Sequence, residues 1–82
     1  MVILPLASEF EEYLKKRNLT AKFNKQKRLL EQNISHPSLN VELLEPTHLR
    51  FYSFRIDRKY RATFIFVSSG IIEVIDINNH YK

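Results

Sequence analysis

The chain has 82 residues, of which 44% are apolar and 27% charged, with one glycine, three prolines and no cysteine. That composition excludes collagenous and low-complexity chains, a disulfide framework, and any cysteine-ligated zinc or iron–sulfur site. The formal net charge of +4, from 13 Lys/Arg against 9 Asp/Glu, suits an anionic partner without requiring one.

A chain of this length buries only about 60% of its unfolded surface, so a single domain over residues 1–82 with one core is expected. No run reaches the ~18 apolar residues of a membrane span. The opening Met1 to Leu6 is apolar, but it has no basic lead-in and runs at once into Glu9, Glu11 and Glu12, which is wrong for a secretory leader. A cytoplasmic protein without membrane partners is the expectation.

Val2 to Leu6 reads as a short first strand. Ser8 and Glu11 have the spacing of a capping box, and Phe10, Tyr13 and Leu14 follow the i, i+3, i+4 stripe of a half-buried helix. Lys15, Lys16 and Arg17 would then close that helix at the favourable end of its dipole. Thr20 is the expected N-cap of a second helix ending near Asn33, with Ala21, Phe23, Leu29 and Leu30 on its thinner apolar face. The few residues between the two predict an antiparallel helical hairpin. From Tyr13 to Leu30 there are seven basic residues (Lys15, Lys16, Arg17, Lys22, Lys25, Lys27 and Arg28) and no acid. They form either a solvated face or a patch for RNA, a ribosome or an acidic partner.

His36-Pro37 ends the helical pattern. Beyond it the chain predicts strands over Val41 to Glu45, Leu49 to Ile56, Tyr60 to Val67 and Ile71 to Asn78, with Ser68-Ser69-Gly70 as a hairpin turn. The layout is β-α-α-β-β-β-β: an α+β fold with a two-helix hairpin on a curled, mainly antiparallel sheet. Phe51, Phe54, Phe64 and Phe66 are expected in the core. His36 and His48 lack metal-ligand spacing and are expected to be surface or structural.

Glu42, Arg61, His80 and Tyr81, with Arg55 as a fifth, stand out because their types form a set. Each alone is also explained as a solvent-facing carboxylate (Glu42), surface arginines that could pair with Asp57 (Arg55 and Arg61) or a chain end (His80 and Tyr81). If Asp57-Arg58-Lys59 is a three-residue turn, Arg55 pairs with Arg61 and both share a face. A two-residue turn pairs Arg55 with Ala62 and separates them.

The stretch Phe51 to Arg61, an aromatic strand ending in Arg-Ile and followed by a Tyr-Arg pair, resembles the central hairpin of the RelE/ParE toxin superfamily. The ending Asn79-His80-Tyr81-Lys82 and the opening Glu11-Glu12-Tyr13-Leu14 are similar to its YoeB-like branch. His36-Pro37 and then Glu42-Leu43-Leu44 fall where that branch has its loop and glutamate segment. The resemblance spans nearly the whole chain. It implies the toxin of a type II toxin–antitoxin pair, a ribosome-dependent mRNA endoribonuclease that works without metal or cofactor. Glu42 would be the general base, His80 the general acid, Arg61 with Arg55 the phosphate clamp, and Tyr81 an orienting or stacking group. Lys59 and Lys82 would add substrate contacts. The implied partners are a small acidic antitoxin, as a heterotetramer or another toxin–antitoxin assembly, and mRNA on the ribosome. The other readings are a ParE-like toxin that binds DNA gyrase and a degenerate toxin that only binds its antitoxin.

Overall fold

The computed structural model describes residues 1–79. The element order is β1 (Val2–Ile3), α1 (Ser8–Lys16), α2 (Thr20–Gln32), β2 (Glu42–Leu43), β3 (Tyr52–Arg55), β4 (Tyr60–Ser68) and β5 (Ile71–Asn79). Single 3-10 turns at Pro37–Leu39 and Thr47–Leu49 flank β2. The sheet order is β1-β5-β4-β3-β2, with β1 parallel to β5 and every other pair antiparallel. This is the β-α-α-β-β-β-β layout expected from the sequence.

The β4–β5 ladder is the backbone of the sheet, and Ser69-Gly70 turns it with Gly70 at φ +74°. Its register shifts between Thr63 and Phe64. Thr63 pairs with Asp76 but Phe64 with Val74, so Ile75 is the extra residue of a β-bulge. Strict alternation from Ile72 and Val74 would aim Asp76 into the core. The bulge instead buries Ile77 and leaves Asp76 exposed.

One sheet face carries Phe54, Ala62, Phe64, Ile72, Val74 and Ile77, all buried beneath Leu14, Leu19, Phe23 and Leu30 of the helical hairpin. The rings of Phe23 and Phe54, and of Phe54 and Phe64, lie 5.9 Å apart, within the range of favourable aromatic contact. Gln26 enters this layer as a polar residue, and its amide nitrogen donates to the carbonyls of Arg55 (2.8 Å) and Ser38 (3.1 Å). Arg55 has no β2 partner for that carbonyl, because β2 pairs only as far as Ser53. The helix therefore satisfies the group that the short edge strand leaves open.

Several local expectations differ from the structure: β1 stops at Ile3 rather than Leu6, and β2 covers only Glu42–Leu43 of the stretch from Val41 to Glu45. Ser8 is the first residue of α1 and makes no capping bond; the N-cap is Ala7, whose carbonyl accepts from the Phe10 and Glu11 amides. Thr20 likewise lies inside α2, behind an N-cap at Leu19. The cause is Asn18 in the left-handed region (φ 56°), which lets the Leu19 N–H donate to Leu14 O and brings helical geometry one residue early. The segment expected as a strand from Leu49 begins only at Tyr52, since Thr47–Leu49 is a 3-10 turn followed by left-handed Arg50. Finally, Phe54 and Phe64 are fully buried, but Phe51 and Phe66 are 37% and 40% exposed.

Candidate functional site

Period-two alternation puts the polar residues of β2, β3 and β4 on the sheet face away from the helices. The registers Glu42↔Ser53 and Ser53↔Thr63 run across that face, and Arg55↔Arg61↔Asn78 forms the next row. The turn is the three-residue one. Ile56 N–H donates to Tyr60 O, the Lys59 and Tyr60 amides close on the Asp57 carboxylate, and Arg55 stands opposite Arg61. Side chains of such a pair start from Cβ atoms about 4.5–5.5 Å apart, so two guanidiniums share one small area.

The two arginines differ sharply in setting. Arg55 is exposed, whereas Arg61 is 5% exposed. Arg61 Nε donates to Ser53 Oγ at 3.0 Å. Its Nη2 donates to the Asn40 carbonyl and, at 3.3 Å, to the Ser53 carbonyl. The same nitrogen lies 3.4 Å from Glu42 Oε1, and the Glu42 side chain is half exposed. Burial pushes the Arg61 guanidinium below the ordinary arginine value. Glu42 pulls it back up, and the like charge of Arg55 lowers it again. An arginine remains charged through all of this.

Asn40 reaches the network through its backbone. It closes the Pro37–Leu39 turn in the left-handed conformation (φ 44°), which directs its carbonyl to Arg61. Ser53 and Asn40 do not stand out in the sequence. The available signals were a lone small hydroxyl in the aromatic run Phe51 to Phe54, and an asparagine at a turn, where that residue tolerates positive φ.

Lys59 is exposed in the turn next to this row. His80, Tyr81 and Lys82 lie outside the described residues. Of the basic set, Lys15, Lys16, Arg17, Lys22, Lys25 and Arg28 are exposed and Lys27 is partly so. Several already have partners: Arg17 lies 3.6 Å over the Tyr13 ring, Lys16 is 4.0 Å from Glu12, and Lys22 is 3.3 Å from Asp57. Lys22 thereby ties the helical hairpin to the turn between the two arginines. His36 is structural. Its Nδ1 accepts from the Ser38 N–H (3.2 Å) at the head of the 3-10 turn and lies 3.0 Å from Ser38 Oγ. Among the described residues no group of His, Asp and Glu is placed to hold a metal ion, and no helix is long and apolar enough to cross a membrane.

No protein-family model and no curated protein matches this chain. Solved structures do. It is similar to a YoeB/ParE toxin from Agrobacterium tumefaciens, with a TM-score of 0.71 and 22% identity, over 98% of this chain and 96% of that one. It is also similar to a chain of a heterotetrameric YoeB-YefM toxin-antitoxin complex from Staphylococcus aureus, with a TM-score of 0.69 and 20% identity, over 98% and 94% of the two chains. A second YoeB-YefM complex from Staphylococcus aureus gives the same values. At these identities the likeness establishes a shared fold over nearly the whole chain.

Proposed function

We propose that this chain is the toxin of a type II toxin–antitoxin system and cleaves mRNA on the ribosome by side-chain acid–base chemistry, thereby inhibiting translation. The observation that carries the reading is the grouping of Glu42, Arg55 and Arg61 on the open face of a YoeB/ParE-like fold. A carboxylate beside two guanidiniums is the chemistry needed to deprotonate a hydroxyl and to hold the anion it attacks.

In this scheme the Glu42 carboxylate takes the proton of a ribose 2′-OH. The resulting oxygen attacks the adjacent phosphorus, and the P–O5′ bond breaks to leave a 2′,3′-cyclic phosphate. His80 donates the proton that the departing 5′ oxygen needs. An imidazole with an ordinary pKa of ~6.5 suits that task at neutral pH, and each such transfer is worth roughly 10²–10⁴-fold. Arg55 meets the phosphoryl oxygens, Arg61 behind it adds positive charge that helps offset what gathers on them, and Tyr81 orients the phosphate or stacks on a base. Lys59 and Lys82 meet neighbouring phosphates.

The partner is a small acidic antitoxin, bound as a heterotetramer of the kind known for the Staphylococcus aureus YoeB-YefM complex or as another assembly. The exposed cations of the helical hairpin favour an acidic segment there, or RNA and the ribosome when the antitoxin is absent. The site of action is the cytoplasm.

The test is inducible expression with mapping of mRNA 5′ ends. Wild type arrests growth and yields new 5′ ends, while Glu42→Gln and His80→Ala yield neither and remain folded. Arrest with intact mRNA and a DNA-damage response would replace ribonuclease by a ParE-like gyrase-binding toxin. A chain that binds an antitoxin but causes no arrest would be a degenerate toxin.

A further inference from the structure

The site contains two arginines, and the structure gives them different work. Arg61 has Nη2 facing three acceptors, the carbonyls of Asn40 and Ser53 and the Glu42 carboxylate, while Nε is held by Ser53 Oγ. Two hydrogens on Nη2 cannot serve three acceptors fully. The backbone carbonyls hold the guanidinium, and Glu42, at 3.4 Å and half exposed, is the loosest of the set. The segment that Arg61 grips needs holding. β2 pairs with β3 through only two residues, and both of its own residues are exposed. An edge strand of that size frays unless something else fastens it.

We propose that Arg61 and Ser53 are positioning residues: together they fasten the Asn40–Leu43 segment to the sheet and so place the Glu42 carboxylate, leaving Arg55 as the arginine that meets the scissile phosphate. Ser53 is the hinge pin of the arrangement. Its hydroxyl and its carbonyl both receive the guanidinium, and it is also the residue that β2 pairs with, opposite Glu42. The residue is thus tethered through its backbone, while its carboxylate, held only by the 3.4 Å ion pair to Arg61, can turn toward a hydroxyl. Arg55, exposed and in the next row of the same face, needs no rearrangement to receive an anion. The like-charge repulsion between the two guanidiniums is relieved when it does.

The mechanistic half rests on the ribonuclease reading; the fastening does not. The 82-residue chain and its Ser53→Ala, Ser53→Thr and Arg55→Ala variants are compared by cleavage of ribosome-bound mRNA and by amide hydrogen exchange across residues 40–44. Ser53→Ala is expected to lower kcat by on the order of 10- to 100-fold with KM little changed, since a misplaced base loses rate rather than affinity. It also speeds exchange in 40–44, and Ser53→Thr, which keeps the hydroxyl, restores both. Arg55→Ala raises KM and leaves the exchange of 40–44 alone. If Ser53→Ala fails to fold, Arg61→Lys makes the same distinction, because it keeps the charge and loses the fork. Unchanged exchange in the folded Ser53 or Arg61 variant overturns the fastening, and a KM effect equal to that of Arg55→Ala overturns the division of labour. A wild-type chain that cleaves no RNA overturns the ribonuclease reading and the mechanistic half with it, while the exchange measurements still decide whether Arg61 fastens the segment.

Discussion

Gln26→Met is a sharp test of how the helical hairpin holds the site. Methionine has the same unbranched reach as glutamine and keeps the apolar contacts of a residue only 6% exposed, but it removes both amide hydrogens. Those hydrogens serve two backbone carbonyls, of Arg55 at 2.8 Å and of Ser38 at 3.1 Å. Each carbonyl left without a donor costs about 1–2 kcal/mol when water reaches it poorly, so the pair costs about 2–4 kcal/mol. A chain of 82 residues has a total stability of about 4–12 kcal/mol, at roughly 0.05–0.15 kcal/mol per residue. The loss is therefore a large fraction of the whole, and for a domain of this size it lowers Tm by roughly 10–30 °C. Urea unfolding followed by far-UV circular dichroism reads it directly. The midpoint should fall and the m-value stay constant, because the surface exposed on unfolding is unchanged. A loss below about 0.5 kcal/mol would refute the reasoning: it would mean that water replaces Gln26 at both carbonyls and that the end of β3 does not depend on α2.

Two further expectations concern the turn and the core. Burial alone would raise the Asp57 carboxyl, but the Lys59 and Tyr60 amides and the Lys22 ammonium outweigh it and hold Asp57 below its ordinary value. A carboxyl depressed by folding contributes stability that is complete above its unfolded value of ~3.9 and fades as pH falls through the lower folded value. Asp57→Asn should therefore be less stable than wild type at neutral pH, with the gap in Tm closing in acid; a gap of constant size would contradict this. In the core, Phe54→Ala removes a fully buried ring that meets Phe23 and Phe64 and costs about 3–5 kcal/mol. Phe66→Ala, at a ring left 40% exposed, costs roughly 1–2 kcal/mol. Equal losses in denaturant titrations would mean that the helices cover the sheet more evenly than the structure shows.

Much of the architecture is legible in the chain itself, because it follows from short-range rules. The apolar stripe of Phe10, Tyr13 and Leu14, the break at His36-Pro37 and the β-branched and aromatic run from Tyr60 each specify an element through local periodicity or propensity. Gly70 marks the hairpin turn because positive φ is easy only for glycine. The helix starts were less legible. Ser8 and Thr20 have capping side chains, yet the backbone bonds of Ala7 and the left-handed Asn18 set the first turns before those hydroxyls could act.

Glu42, Arg55 and Arg61 stand out in the sequence by residue type, and sequence alone reaches no further than that they belong to one set. Three things came only from tertiary structure. The three-residue turn at Asp57–Lys59, closed by the carboxylate of Asp57, put both arginines on one face; a turn one residue shorter would have parted them. The bulge at Ile75 kept Asp76 out of the core. The packing of Asn40 and Ser53 around Arg61 buried one arginine and left the other in solvent. Side-chain chemistry is written in the residues, but whether a guanidinium is spent on its own backbone or free for a ligand depends on which carbonyls the fold brings within reach of it.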